Sequence, residues 1–186
     1  MKVYRKPLSR YFPAYHPKAG QPTNFVQKVL AATTDNYKHY KSIYEMWVDL
    51  NCKKERVSEE KIMQLVSEIF PMPMDYKPKA HTIRGGNKVN TGDFVQFYFW
   101  KDKPYRSKQI VIAPPIEVKK VWSLDIMEVD RGNILVVNGV EKPIDLLLEI
   151  AKNDGLELAD LLLWFKFPKK QVTDCQIICW DNEINY

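Results

Sequence analysis

The stretch "KPKAHTIRGGNKVNTGDFVQFYF", from Lys77 to Phe99, lies where the chain changes from helical to strand-like patterns. Just upstream, "PMPMDYKPK" has three prolines in eight residues, and prolines break a helix. Downstream, "DFVQFYFW", "SKQIVIA" and "IEVKKVWSLDIMEV" are rich in β-branched and aromatic residues and are separated by Lys-Pro and Pro-Pro. Such segments are typical of strands. The stretch, with "AHTIR" inside it, therefore opens the strand-rich part of the fold.

Upstream of this stretch the spacing of apolar residues predicts helices. "NFVQKVLAAT" is predicted to be a short helix, and two amphipathic segments follow it. The apolar positions of the first segment are Tyr37, Tyr40, Ile43, Tyr44, Trp47 and Leu50, and those of the second are Ile62, Leu65, Val66 and Ile69. Ser58 is the predicted N-cap of the helix formed by the second amphipathic segment. We interpret 34–75 as a helical insertion, because two short helices bury too little surface to form a separate domain.

The C-terminal part predicts a hairpin, two helices and a last strand. "NILVVNGVE" indicates a hairpin around Asn138-Gly139. One helix is predicted from Pro143 to about Asn153, and "LELADLLLWFKF" predicts a second that Pro168 ends. "QVTDCQIICWDNEINY" is read as a terminal strand. The predicted architecture is a single α+β domain over 1–186, a small mixed β-barrel with flanking helices and the insertion.

The charge of the chain is unevenly distributed. The net charge is +5, but residues 71–122 carry ten Lys/Arg against four acids, whereas residues 123–186 carry six against twelve. A basic part beside an acidic part suits an anionic partner such as RNA or a phosphorylated ligand. A solvated surface of mixed charge explains the same distribution, and both interpretations stay open.

Cysteine spacing and hydropathy predict a cytoplasmic protein. Cys52, Cys175 and Cys179 are an odd number without CxxC spacing, which argues against a disulfide framework or a zinc site. The N-terminus lacks the apolar region of a signal peptide, and no apolar run approaches the roughly 20 residues of a membrane helix. We therefore expect no membrane association, no metal and no cofactor; the sequence does not indicate the oligomeric state.

The order Lys-x-x-Thr-x-Arg, turn, Thr-Gly-Asp and apolar strand resembles the ASCH superfamily. Its members are small β-barrel proteins similar to the PUA domains of RNA-modifying enzymes, with the motif Gly-x-Lys-x-x-Glu-x-Arg and a later Gly-Asp. Lys79 and Arg84 match the lysine and arginine, and Gly92-Asp93 matches the Gly-Asp. Lys77 replaces the glycine, and Thr82 replaces the glutamate. The resemblance covers about residues 9–30 and 77–186 and implies a PUA-like barrel.

The threonine makes the chain similar to one ASCH subgroup, the bacterial N(4)-acetylcytidine amidohydrolases. That resemblance implies catalytic roles for Lys79, Thr82 and an acidic residue just before a later helix. Asp154, in "AKNDGLELADLL", stands at the position of that acid, where the subgroup has glutamate. The implied activity is deacylation of an acylated cytidine.

The residues allow such chemistry under one condition. A threonine hydroxyl attacks an amide only when a neighbour takes its proton, and Lys79 can do so only as a neutral amine. Arg84 favours the neutral amine if its guanidinium lies nearby, whereas Asp154 opposes it if it pairs directly with Lys79. We expect Asp154 to orient the group or assist proton transfer.

Two functions therefore remain open. The first is a binding module that holds RNA, a nucleotide or a nucleoside in a basic cleft, with Lys79 and Arg84 facing phosphates. The second is the amidohydrolase, with Thr82 as nucleophile and Lys79 as base. Thr82 is equally explained as a strand threonine, and Asp154 as a helix-ending residue.

Four other side chains complete the sequence-based predictions. His16, in "YFPAYHPKAG", is a candidate for lining the cleft, and Tyr15 and Trp122 are candidates for stacking on a base. Core packing explains both aromatic residues equally well. His81 is expected to be a structural or surface residue facing away from Thr82.

Overall fold

The computed structural model of the protein describes residues 1–33, 40–52, 57–70, 76–86, 88–130 and 132–186. In chain order its elements are β1 (Val3–Pro7), α1 (Phe25–Thr33), α2 (Tyr40–Asn51), α3 (Glu59–Ile69), β2 (His81–Gly85), β3 (Phe94–Trp100), β4 (Gln109–Val111), β5 (Ile116–Glu117), β6 (Lys120–Val129), β7 (Gly132–Val137), β8 (Val140–Lys142), α4 (Leu146–Asn153), α5 (Leu158–Trp164) and β9 (Val172–Cys179). Helices and two sheets confirm the α+β class, but these ranges contain no closed barrel. None of their helices is long and apolar enough to cross a membrane.

The chain divides into two compact units. Unit 1 comprises Met1–Tyr11, Pro22–Pro78 and Phe94–Ile116, and unit 2 comprises Phe12–Gln21, Lys79–Asp93 and Glu117–Tyr186. The predicted insertion at 34–75 falls within unit 1, where it supplies α2 and α3. Its residues 34–39, 53–56 and 71–75 lie outside the described part of the chain.

The sheet of unit 1 is built around β3. Strand β1 is parallel to β3, with Val3 opposite Phe94, and β4 is antiparallel to it. One face of β3 is fully buried through Val95, Phe97 and Phe99. Because side chains alternate along a strand, the remaining residues of β3 lie on the opposite face.

Helix α3 follows its sequence pattern closely. The hydroxyl of Ser58 accepts a hydrogen bond from the Lys61 N–H at 3.4 Å, so the predicted N-cap is confirmed. The predicted apolar stripe is buried at all four positions, which are Ile62, Leu65, Val66 and Ile69. The stripe therefore attaches α3 to the core of unit 1.

Helix α2 is attached to the strand segment around β4 by side-chain hydrogen bonds. The Trp47 indole donates to the Ile112 carbonyl at 2.9 Å. The Asn51 amide donates to the Val111 carbonyl at 2.9 Å and accepts from the Val111 N–H at 2.8 Å. Asn51 therefore pairs with β4 as the backbone of a neighbouring strand would. Tyr37, predicted to belong to this helix, lies outside the described residues.

Unit 2 contains an antiparallel sheet with the order β2-β9-β6-β7-β8. The predicted hairpin is confirmed, since β7 and β8 are joined by Asn138 and Gly139 with φ values of 52° and 74°. Positive φ at both positions is the reason for Asn-Gly in such a turn. The predicted terminal strand ends at Cys179, and it lies inside the sheet rather than at its edge.

Candidate functional site

Backbone hydrogen bonds hold the segment before β2. The Ala80 N–H donates to the carbonyl of Asn153 at 3.0 Å, and the Trp180 N–H donates to the carbonyl of Ala80 at 3.2 Å. Asn153 is the last residue of α4, and Trp180 follows β9. These bonds bring Lys79 to the C-terminal end of α4, where Asp154 lies.

Lys79 and Asp154 form a buried ion pair. Their exposed fractions are 1% and 6%. The Lys79 ammonium lies 2.7 Å from Asp154 Oδ1 and also donates a hydrogen bond to the main-chain carbonyl of Asp154. The same Oδ1 accepts the N–H of Ile83 at 3.1 Å. Asp154 therefore links Lys79 to the backbone of β2, which is an edge strand of its sheet.

The environment of Asp154 shifts the pKa of its carboxyl group above the ordinary value. Burial raises the pKa of Asp154, because a carboxylate loses hydration in the protein interior. The charge and hydrogen bond of Lys79, the charge of Arg84 and the Ile83 N–H act in the opposite direction. Asp154 therefore accepts a proton more readily than an exposed aspartate, and the Lys79 ammonium is in direct contact to donate one.

His81 is a buried neutral imidazole beside this pair. It is 0% exposed, so of the two predicted alternatives the structural residue fits and the surface residue does not. Burial lowers the pKa of His81 well below its ordinary value, and the charge of Lys79 lowers it further, whereas the Ile150 carbonyl acts to raise it. Its Nδ1 lies 3.7 Å from Asp154 Oδ1. His81 therefore adds a polar but uncharged ring to the site.

Tyr186 fills the space beside His81 and Trp122. Its ring centroid lies 5.7 Å from that of His81, at an interplanar angle of 87°, and 5.0 Å from that of Trp122. The Asn153 amide donates to the Tyr186 hydroxyl at 2.8 Å. Burial raises the pKa of that hydroxyl, so the phenol is neutral. We call His81, Trp122, Asn153 and Tyr186 the Tyr186 cluster.

The segment that carries Tyr186 is held by one lysine. The Lys120 ammonium donates to the carbonyls of Asn182 and Ile184, at 2.6 Å and 2.7 Å, and to the Asn185 side chain at 2.8 Å. Three acceptors match the three N–H groups of an ammonium. Lys120 thereby fixes the backbone that positions the Tyr186 ring.

Comparison with known proteins gives no identity. Neither the known protein-family models, nor the curated proteins, nor the solved structures contain a match to this chain. The resemblance to the ASCH superfamily, drawn from the residues, therefore stays a prediction. In the described ranges no three His, Cys, Asp or Glu side chains are grouped so that they could hold a metal ion.

The three predicted catalytic residues are all buried in unit 2. Lys79 and Asp154 are in contact, and Thr82 is 3% exposed. Strand alternation places Thr82 on the face of Arg84, opposite His81. Lys79 does not face solvent as a phosphate-binding cation would, because its ammonium is buried against Asp154. The catalytic roles themselves stay predictions.

The predicted binding residues fall into two groups. Trp122 belongs to the Tyr186 cluster, and the charge of Arg84 acts on Asp154. His16 and Tyr15 lie instead beside α5, and none of their described contacts reaches Lys79 or the Tyr186 cluster.

The contacts of His16 and Tyr15 are those of structural residues. The His16 Nδ1 accepts the Lys18 N–H at 3.1 Å, and its Nε2 lies 3.7 Å from Asp160. The Tyr15 hydroxyl donates to the Trp164 carbonyl at 2.7 Å. Both side chains therefore attach the 12–21 segment to α5.

Sequence reasoning missed Tyr186, Asn153 and Lys120 as parts of the site. Tyr186 and Asn153 were read only as members of a strand and a helix end, and Lys120 only as part of a strand. No motif or short-range spacing links them, because they come from three elements that meet only in the folded chain. Their type is a weak signal: a tyrosine, an amide and a lysine are common in ordinary surface segments.

Proposed function

We propose that unit 2 is a PUA-like module of the ASCH type that binds the base of RNA, a nucleotide or a nucleoside at the Tyr186 cluster. The observation that carries this proposal is the joint presence of aromatic rings and a buried polar pair. Trp122 and Tyr186 are in ring contact, and His81 lies next to both the Tyr186 ring and Asp154 of the Lys79–Asp154 pair. A base needs both features, a ring for its face and polar groups for its edge.

In this proposal the Tyr186 ring occupies the position that the base takes when it binds. Its ring lies against Trp122, and its hydroxyl accepts a hydrogen bond from Asn153. A base that replaces it stacks on Trp122 and presents a carbonyl oxygen to the same Asn153 amide. The Tyr186 ring must therefore leave before the base enters. The half-buried cation of Arg84 favours an anionic ligand such as a nucleotide or RNA.

The amidohydrolase is the second candidate, because Lys79 and Asp154 are in contact and Thr82 is buried in the same unit, although the direct pairing opposes the neutral amine. The direct ion pair stabilises the ammonium, so Lys79 must first give a proton to Asp154, whose raised pKa suits it to receive one. The neutral amine then takes the hydroxyl proton of Thr82 as its oxygen attacks the acetyl carbonyl. The C–N bond breaks, the proton goes to the leaving cytidine amine, and water hydrolyses the acetyl ester to acetate.

One experiment separates the two candidates. N(4)-acetylcytidine and cytidine are each titrated into the purified protein by calorimetry, and conversion of the first to the second is followed by chromatography. Binding without conversion supports the module, whereas conversion that Thr82→Val abolishes supports the enzyme. Thr173→Val is the matched control, because Thr173 is an exposed threonine of β9. Absence of binding to both nucleosides contradicts both candidates.

A further inference from the structure

The face of β3 opposite Val95, Phe97 and Phe99 carries an aromatic ladder that ends at an exposed ring. Since Val95, Phe97 and Phe99 occupy the buried face of β3, Tyr98 and Trp100 lie on the other face. The ring centroids of Tyr98 and Trp100 are 5.5 Å apart, and those of Trp100 and Tyr105 are 5.3 Å apart. We call Tyr98, Trp100 and Tyr105 the aromatic ladder.

The rings of the ladder differ in their access to solvent. Tyr98 is 7% exposed and supports Trp100 edge-on, whereas Tyr105 is 85% exposed. Trp100 is half-buried. An aromatic ring that is this exposed gains little from burial, and the Tyr105 ring next to Trp100 is accessible to a ligand.

The loop that carries Tyr105 is ordered by its own hydrogen bonds. The Lys101 N–H donates to the Lys108 carbonyl at 2.9 Å, which continues the β3–β4 pairing. The Ser107 hydroxyl accepts the Asp102 N–H and donates to the Lys103 carbonyl, both at 2.9 Å. These bonds support the loop backbone on both sides of Tyr105, which places its ring next to Trp100 in the absence of a partner.

Positive charge surrounds the ladder. The 101–108 loop has four Lys/Arg and one acid, and Lys103, Arg106 and Lys108 are exposed. On the opposite side of β3, the exposed Arg5 of β1 holds its guanidinium 5.2 Å from the Tyr98 ring centroid. Aromatic rings between exposed cations are complementary to an anionic ligand that also has flat faces.

We propose that this face binds single-stranded nucleic acid, with successive bases stacked on Tyr105 and Trp100. The cations of the loop and Arg5 contact the phosphates on either side. Stacking needs only a π-face, so the surface tolerates many sequences. An acidic peptide satisfies the cations but not the aromatic rings, and an exposed ladder of this kind is explained best by bases. The site lies within unit 1, and it does not depend on the function proposed for unit 2.

The test is the binding of a labelled single-stranded RNA of about 12 nucleotides, measured by fluorescence anisotropy. Tyr105→Ala is expected to weaken binding about 5- to 150-fold, the effect of removing one stacking ring. Tyr105→Phe is expected to bind like the wild type, because it keeps the ring. Tyr105 is so exposed that neither change threatens folding.

The contribution of the cations is tested by salt dependence. Lys103→Gln with Arg106→Gln is expected to reduce the slope of log affinity against log salt by about 1.4, or about 0.7 per cation. The matched control is Lys169→Gln with Lys170→Gln, which removes the same charge from exposed positions of unit 2. The control is expected to leave the slope close to that of the wild type.

Three results would overturn this inference. The first is no binding of the RNA by the wild type at low salt, and the second is equal binding by Tyr105→Ala and the wild type. The third is that polyglutamate or anionic vesicles bind as well as RNA and are weakened equally by Tyr105→Ala. Titration of N(4)-acetylcytidine into Tyr105→Ala tests unit 2 separately, and it is expected to match the wild type.

Discussion

Unit 1 and unit 2 each place aromatic rings next to cations, but they do so in opposite environments. In unit 2 the Lys79 ammonium is 1% exposed and is neutralised by Asp154. In unit 1 the Tyr105 ring is 85% exposed, and the neighbouring Lys103 and Arg106 face solvent. The free-energy contribution of a buried charge depends strongly on its partner and little on salt. That of an exposed charge depends little on any one partner and strongly on salt. The same residue types thus form a buried ion pair in one unit and the proposed nucleic-acid-binding surface in the other.

Breaking the buried pair is expected to have the largest effect. Lys79→Met leaves the Asp154 carboxylate buried without its main partner, which costs about 3–5 kcal/mol in the free energy of unfolding. Adding Asp154→Asn is expected to recover part of that loss, because no buried charge remains. Urea denaturation measures both variants. A loss below about 1 kcal/mol for Lys79→Met would show that the pair is not a structural element.

The second expectation concerns pH and His81. Its folded pKa lies well below the ordinary value of 6.5, so only the unfolded chain binds this proton as the pH falls below about 6.5. The stability that neutral His81 contributes is therefore present above that pH. It is lost on acidification, where the free energy of unfolding falls by up to about 1.4 kcal/mol per pH unit. His81→Gln is expected to remove this slope. Asp154 acts in the opposite sense, since its raised pKa contributes stability at low pH that is lost as the pH rises through the folded value.

Urea midpoints between about pH 5 and pH 7 measure the His81 contribution. The comparison uses the change of stability with pH rather than the stability at one pH, so a general destabilisation by His81→Gln does not affect it. Equal slopes in the wild type and the variant would contradict a neutral, buried His81.

The third change sharpens the role of Tyr186. Tyr186→Ala removes the ring contacts with Trp122 and His81 and is expected to cost about 1 kcal/mol in stability. The same change exposes the face of Trp122, so the Tyr186 ring no longer competes with a nucleoside for that position. The nucleoside is therefore expected to bind about 5- to 10-fold more tightly, which corresponds to the roughly 1 kcal/mol of lost ring contacts. Tyr186→Phe, which keeps the ring, is the control. Weaker nucleoside binding by Tyr186→Ala would mean that Tyr186 contacts the ligand rather than occupying its place.

The smallest effect on stability is expected in unit 1. Lys103→Gln with Arg106→Gln changes exposed side chains, so the free energy of unfolding should move by less than about 0.5 kcal/mol. Thermal denaturation of the variant and the wild type measures this difference. A large loss of stability would contradict the view that these cations serve recognition, and would assign them a structural role.

Local features of the fold were predictable because their causes are local. Ser58 and the apolar stripe of α3 specify a capped amphipathic helix within one segment, and Asn138-Gly139 specifies its own turn. No short segment of the sequence predicts which distant strands pair with one another. The strands that were expected to form one barrel pair into two sheets, and β9 lies between β2 and β6 although it comes last in the chain.

The candidate site also divides into residues that the sequence indicated and residues that only the folded chain brings together. The resemblance, which stays a prediction, named Lys79, Thr82 and Asp154 together; Lys79 and Asp154 are in contact, and Thr82 is buried in the same unit. His16 was a candidate for lining the cleft and Tyr15 for stacking on a base, and the contacts of both attach the 12–21 segment to α5. Tyr186 was missed, since only the folded chain brings it against Trp122.

The most direct test of the central claim is calorimetric titration of cytidine and N(4)-acetylcytidine into the wild type and Tyr186→Ala. If a base takes the position of Tyr186, both proteins bind at least one nucleoside, and the variant binds it more tightly. If neither protein binds either nucleoside while both remain folded, the Tyr186 cluster is only a packed part of the unit 2 core, and the proposed function is wrong.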